Sequence, residues 1–338
     1  MAMDSSIRRL AEQFAYKPEV VYKEELHRAQ DFFVFGMGGS AMAADLLALW
    51  NPTLRIRTRR DYGLPKNVTA AEKRDALFIM SSYSGNTEEV TGRVEDGVEG
   101  AFQEALAAGV HMAAIAVGGQ LIGLAKQHGI PYVQMPDMGM QPRAATGLSL
   151  LGLAALMGLE DAAREASALA TSLRPLELEA QGKALAAKLR GHVPIFYASD
   201  DNWRIAEVGK IKFNETGKVP AFWNRFPELN HNEMTGFDVA DSSRALSVNM
   251  HFVFLRSQAD HKRVQKRMEV TEKLLVGRSF PVDYVDFPAD GGGASGASRM
   301  LAMFSVLTIL DWAAFYTAEN YGVESEEVPM VEELKKLL

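Results

Sequence analysis

The sequence predicts an α/β protein built as two doubly wound parallel sheets in tandem, with helices at both ends of the chain. Three observations carry this. Short β-rich runs alternate with Ala- and Leu-rich helical runs through residues 32–135. A charged helical stretch, broken at Pro175, follows over 160–192. The alternation then resumes to residue 320. Strands that alternate with helices join in parallel, with the helices covering the sheet faces.

The elements read in order as follows. Residues 1–30 form an N-terminal segment that reads as helical and amphipathic. The first domain, 31–160, has strand candidates at 32–36, 53–59, 76–81, 111–117 and 131–135. Helical runs at 41–49, 87–108 and 119–128 separate them, and 144–159 reads as a buried helix. Residues 161–192 read as a helical connection. In the second domain, 193–322, strands are expected at 193–198, 246–256 and 280–287, with helices at 202–214, 261–277 and 297–320. Glycines 291–293 predict a turn before the last of these. Residues 323–338 end in a short amphipathic helix.

Composition narrows the function. At 338 residues the chain can hold two domains. With 47% hydrophobic and 23% charged residues it has an ordinary globular balance. A net charge of -7 argues against a nucleic-acid partner. No uncharged apolar run approaches the ~20 residues a bilayer span needs, and the N-terminus lacks the apolar core of a secretory signal. The absence of cysteine removes disulfides, a thiol nucleophile and thiolate-held zinc, and it fits a cytoplasmic setting.

The chemistry concentrates in two places. The first is a pair of turns that follow strands. "FGMGGSA" at 35–41 leads from a strand into a helix, and "SSYSGNTEE" at 81–89 does the same. Backbone N–H groups at a helix start, joined by the hydroxyls of Ser82, Ser84 and Thr87, suit a phosphate monoester. One such residue would serve as an N-cap; this many exceeds what capping needs. The first turn also fits GxGxxA, the weak dinucleotide fingerprint. That reading wants an acidic residue about 20 positions later, and Asp61 stands there only beyond several arginines.

The second place is the polar run 207–237, which holds Glu215 at a helix end and His231 between two asparagines. Taken singly, such residues are most often a solvated carboxylate and a structural histidine. Together they form the usual pair for moving protons on a carbon acid and its hydroxyl. Metal ligation would rest on His231, Glu228 and Glu233 alone, and no metal or other cofactor is expected. In the C-terminal helix, periodicity puts Lys335 on one stripe with Val328, Val331 and Leu338. A lysine there either snorkels outward or serves a site.

The two turns resemble the sugar isomerase (SIS) domain. "NETGKVPAFWNRFPELNHNEMTGF" resembles the signature of the bifunctional phosphoglucose/phosphomannose isomerases. The resemblance implies two SIS-type, flavodoxin-like domains and an aldose–ketose isomerase that interconverts glucose 6-phosphate, and mannose 6-phosphate, with fructose 6-phosphate through a cis-enediolate. It implies that Gly39, Ser40, Ser82, Ser84 and Thr87 bind the sugar phosphate. Arg143 would steady the enediolate, Glu215 would move the proton, His231 would assist ring opening, and Lys335 would contact the ring oxygen or its hydroxyl. It also implies a homodimer, with the histidine serving the neighbouring subunit's site near the interface. Two positions depart from the family pattern. "NETGK" stands where "NENAK" is usual, and Val328 stands where the family has threonine, a change that bears first on the mannose reaction. A non-catalytic phosphosugar-binding protein and an NAD(P)-dependent enzyme are the alternatives at this point.

Overall fold

The computed structural model describes residues 2–238, 240–288 and 298–338; the expected glycine turn at 291–293 lies outside them. The chain divides into two compact units, Arg9–Ser172 and Ala2–Arg8 with Leu173–Leu338. The first helix, α1 (Met3–Arg8), belongs to the second unit. The helix expected over the first 30 residues stops early. After a 3-10 turn at Leu10–Ala15 the chain passes Pro18 and makes a short strand, β1 (Val20–Val21). Proline lacks an N–H and fixes φ, so a helix does not run through it.

In the first unit, β2 (Asp31–Phe35), β3 (Arg55–Arg59), β4 (Leu77–Ser81), β5 (His111–Ala116) and β6 (Tyr132–Gln134) pair in parallel, with β1 antiparallel on β6. The order is β1-β6-β5-β4-β2-β3. The central β4 is buried throughout, so it reads as a continuous apolar run. β3 is the far edge, which explains its arginines. Arg55, Arg57 and Arg59 pair with Asp31, Glu72 and Asp61, and charge on an edge strand discourages further pairing.

The connecting helices are α2 (Gly39–Trp50), α3 (Ala70–Asp75), α4 (Glu88–Thr91), α5 (Ala101–Ala108) and α6 (Gly119–His128). The single helix expected over 87–108 is broken into α4, a 3-10 turn and α5, because Gly92 and Gly97 take positive φ. α7 (Thr146–Met157) is buried nearly all round and packs against α2. α8 (Glu160–Ser172) completes the unit. The expected connection at 161–192 is thus α8 in one unit and α9 (Pro175–Lys188) in the other. Pro175 opens α9, where its missing N–H costs nothing.

The second sheet has β7 (Val193–Ser199), β8 (Phe222–Phe226), β9 (Met250–Arg256) and β10 (Val282–Asp286), parallel throughout, in the order β10-β9-β7-β8. Its helices are α10 (Trp203–Glu215), α11 (Lys262–Val276), α12 (Arg299–Tyr321) and α13 (Pro329–Leu337). Among the described residues only α12 is long and apolar enough to cross a membrane, and 83% of its apolar window is buried. It packs closely on α9: a Cβ on Gly182 would fall 2.3 Å from Trp312 Cβ. Trp312 Nε1 donates to the Pro175 carbonyl at 2.8 Å, and Met3 and Ile7 of α1 close over the same tryptophan.

A buried histidine sets one pH limit on this fold. His251 in β9 is 3% exposed, and its Nε2 lies 2.9 Å from Asp283 Oδ2. Its Nδ1 is buried with no partner among the described residues. Burial holds its pKa below the ordinary 6.5 despite the pull of Asp283. A base depressed in the folded state is protonated first in the unfolded chain, so its stabilisation is full above about pH 6.5 and is lost as pH falls. Thermal melts should therefore show Tm falling from about pH 6.5 to pH 5.5, with a shallower slope in His251→Gln. His111, whose pKa is also lowered by burial, leaves part of the slope in place.

Candidate functional site

The two turns singled out in the sequence lie side by side. The chain leaves β2 for β3 on one side and returns to β4 on the other. The carboxyl ends of β2 and β4 therefore flank the switch point, where an open parallel sheet leaves a crevice. Two hydrogen bonds join the turns across it. Ser81 Oγ donates to the Ser40 carbonyl at 2.8 Å, and the Tyr83 N–H donates to Ser40 Oγ at 2.9 Å.

The glycines of "GMGGSA" serve close approach. Gly38 caps α2 with φ +48. A Cβ on Gly39 would fall 2.8 Å from the Pro142 carbonyl carbon and 2.9 Å from Arg143 N. The 3-10 turn Pro142–Ala144 thus presses on the start of α2, which brings Arg143, 2% exposed, beside the phosphate-type turns. Gln13 fixes that turn from the other side. Its Nε2 donates to the Ala144 carbonyl at 2.7 Å and its Oε1 accepts from the Gly147 N–H at 3.0 Å. Sequence reasoning missed Gln13, because a lone glutamine in an N-terminal segment carries no local signal.

In the second turn the hydroxyls divide into two kinds. Ser82 is fully buried. Its Oγ accepts from the Gly85 N–H at 2.9 Å and the Thr87 N–H at 3.4 Å, and it shares a hydrogen bond with Thr87 Oγ1 at 2.8 Å. Ser82 and the 6% exposed Ser40 are thus held by hydrogen bonds within and between the loops. Ser84 is exposed and Thr87 half-buried. Gly85 takes φ +78, and a Cβ there would lie 1.8 Å from the Gly118 carbonyl oxygen. Asn86 Oδ1 accepts from the Gln120 N–H at 2.9 Å, so the turn after β5 braces the loop.

In the second unit, Glu215 is the last residue of α10 and is half-buried. The "TGK" that follows folds the chain back on the helix. The N–H groups of Thr216 and Gly217 both donate to the Lys212 carbonyl, at 2.8 and 3.2 Å. Lys218, with φ +56, donates its Nζ to the Glu215 carbonyl. A Cβ on Gly217 would fall 2.8 Å from the Phe213 carbonyl oxygen, so the glycine permits this tight end.

The polar run beyond is mostly scaffold. β8 lies inside it, unseen in the sequence because its residues alternate too weakly with their polar neighbours. His231 ends a 3-10 turn, Glu228–His231, and is exposed. Around it, Asn230 Nδ2 donates to Thr271 Oγ1 at 2.8 Å and Asn232 Nδ2 to Glu228 Oε1 at 2.7 Å. Glu233 accepts from the Tyr197 hydroxyl and from Asn224 Nδ2. Burial pushes the Tyr197 hydroxyl far above its ordinary pKa, so it stays a donor. Among the described residues no three His, Asp or Glu side chains gather as a metal site.

Lys335 differs from expectation. α13 buries none of its residues, with Val331 45% exposed, and Leu338 just beyond it is 64% exposed. The lysine makes a 2.7 Å ion pair with Glu332 instead of lying on a docked stripe. The structure thus places the paired turns and Arg143 in one unit, and Glu215, His231 and Lys335 in the other.

The division among the hydroxyls is measurable. Ser82→Ala strips the acceptor from buried N–H groups and should cost about 1–3 kcal/mol in urea denaturation. Ser84→Ala should stay within about 0.5 kcal/mol of wild type, as an exposed change does, while weakening phosphate binding in titration calorimetry.

Residues 178–338 match the family model described as the bacterial phospho-glucose isomerase C-terminal SIS domain. A bifunctional phosphoglucose/phosphomannose isomerase of Caldicellulosiruptor bescii is 32% identical over 99% of this chain and 98% of its own. One from Aquifex aeolicus is 31% identical over 90% of this chain and 88% of its own. Among solved structures, glucosamine-6-phosphate deaminase of Thermotoga maritima superposes with a TM-score of 0.64 at 16% identity, over 97% of this chain and 96% of that one. With paired turns at the switch point of an SIS-type sheet and full-length relatives of this kind, the chain belongs to the bifunctional phosphoglucose/phosphomannose isomerase family.

Proposed function

We propose that the protein interconverts glucose 6-phosphate, and mannose 6-phosphate, with fructose 6-phosphate. The observation that carries this reading is the pair of hydrogen-bonded turns at the β2–β4 switch point, in a chain of this family. They offer N–H groups and hydroxyls to a phosphate monoester, and Ser84 and Thr87 are its assigned side-chain contacts, with Gly39 allowing backbone approach. Ser40 and Ser82 hold the contacts in place.

The reaction needs a ring opened and a proton moved between neighbouring carbons. His231 is assigned the transfer of the hydroxyl proton to the ring oxygen, with Lys335 holding that oxygen. Glu215 takes the proton from C2 of the aldose and returns it to C1, leaving the ketose. Between these steps the charge sits on a cis-enediolate, which the Arg143 guanidinium stabilises. One carboxylate serves both transfers. The exposure of His231 and of the apolar face of α13 supports a homodimer in which His231 serves the neighbouring subunit. The lack of cysteine supports a cytoplasmic setting.

The test supplies fructose 6-phosphate and assays both aldoses. Wild type should form glucose 6-phosphate, with mannose 6-phosphate slower because Val328 has no hydroxyl. Glu215→Gln should lose about 10²–10⁴-fold in kcat. His231→Ala should slow the cyclic substrate more than an open-chain one. Binding of fructose 6-phosphate without turnover would assign the chain to a phosphosugar sensor instead.

A further inference from the structure

The second sheet has a switch point of its own. The chain leaves β7 for β8 and returns to β9 on the other side, so the turns after β7 and β9 flank a second crevice. These turns read "SDDNW" from Ser199 and "SQAD" from Ser257, with none of the glycines that open the first crevice. A carboxylate sits between them. Asp260 is 3% exposed, and its Oδ1 accepts from Ser199 Oγ at 2.5 Å and from Asn202 Nδ2 at 2.9 Å. Its Oδ2 accepts from the Ser257 N–H at 3.0 Å. A hydroxyl, an amide and a backbone N–H make the donor set an oxyanion would use.

Asn202 shows that the arrangement costs something. It caps α10, yet its side chain makes no capping bond to the helix. Its amide is diverted to Asp260 and Ser199, and its Oδ1 accepts from Arg299 at 2.9 Å. An asparagine at this position ordinarily bonds the N–H two or three residues on. Burial pushes the Asp260 carboxyl above its ordinary 3.8 against the three donors. A lone turn-forming aspartate would leave one oxygen in water. This one spends both inside the crevice, across two strands.

We infer that Asp260 is a resident anion: its carboxylate fills the second crevice in place of a phosphate, locks the start of α10 and so positions Glu215 at the far end of that helix. α10 is 13 residues long, so lock and carboxylate stand about 18 Å apart along a rigid element. Asp260 is a positioning residue, acting through the helix and never on the sugar. The inference rests on the proposed isomerase role of Glu215 for its kinetic consequence, and on geometry alone for the filled crevice.

The experiment replaces Asp260 in the full chain and offers the missing anion back. Asp260→Gly should melt several degrees below wild type. Sodium formate, and less well inorganic phosphate, should restore most of the loss while leaving wild type unmoved. In the assay with fructose 6-phosphate, kcat should fall about 10- to 100-fold, as slight misplacement of a reacting group produces. KM should stay within about twofold, since the phosphate turns belong to the other unit, and formate should recover kcat. Asp260→Asn, nearly isosteric, keeps the test alive if the glycine variant does not fold. Its amide N–H groups oppose the Asn202 amide, so kcat should again fall with KM held. Wild-type kcat in Asp260→Asn, or a formate effect equal in wild type and Asp260→Gly, overturns the inference. Should the wild type lack isomerase activity, the proposed function fails on its own, and formate-dependent melting still decides the role of Asp260.

Discussion

The join at Ser40 is the contact on which the first unit's site depends. Its carbonyl and hydroxyl accept from Ser81 and Tyr83 across the switch point, so two turns that the chain reaches 41 residues apart behave as one. Ser40 is buried, and a buried acceptor left without a donor costs about 1–3 kcal/mol. The neighbouring constraints follow from holding the turns this close. Gly36 has no room for a Cβ beside the Ser81 carbonyl oxygen, 2.6 Å away. Gly39 has none beside the Pro142 turn, and Gly85 none beside Gly118. Four separate loops are drawn together by backbone contact, and only glycine permits that.

This is why the turns were legible and their division of labour was not. A strand, a glycine-rich turn and a helix start leave a local trace, so both walls of the crevice can be read from residues in a row. Which hydroxyl faces solvent depends on the turn's own hydrogen bonds. Ser82 and Ser84 are equivalent in the sequence, yet one is closed inside the loop and the other open. Gln13 was invisible for a related reason: it acts on a turn 131 residues away. The strands and most helices were readable because their periodicity is local. β8 was not, since its neighbours in the polar run hide the alternation, and the N-terminal segment misled because its apolar residues keep a helical spacing although α1 stops at Arg8 and a 3-10 turn follows.

The second unit inverts the balance between polar density and function. The run around His231 looked like a cluster of reactive groups. Several of its members are engaged with each other or with neighbouring elements: Asn232 with Glu228, Asn230 with Thr271, Glu233 with Tyr197 and Asn224. The payoff is a rigid 3-10 turn that presents one exposed imidazole. Polar residues in such numbers report an expensive loop conformation as often as they report chemistry, and only the hydrogen-bond partners separate the two.

The two crevices show how one architecture can be turned toward a ligand or away from it. Parallel strands end with N–H groups and helix starts that favour negative charge whatever the sequence. The first sheet answers with glycine, which lets its turns close on one another by backbone contact. The second answers with Asp260, Asn202 and Ser199, which satisfy one another and close the space. The tethered carboxylate turns the same electrostatic demand into a fixed anchor for the helix that bears Glu215.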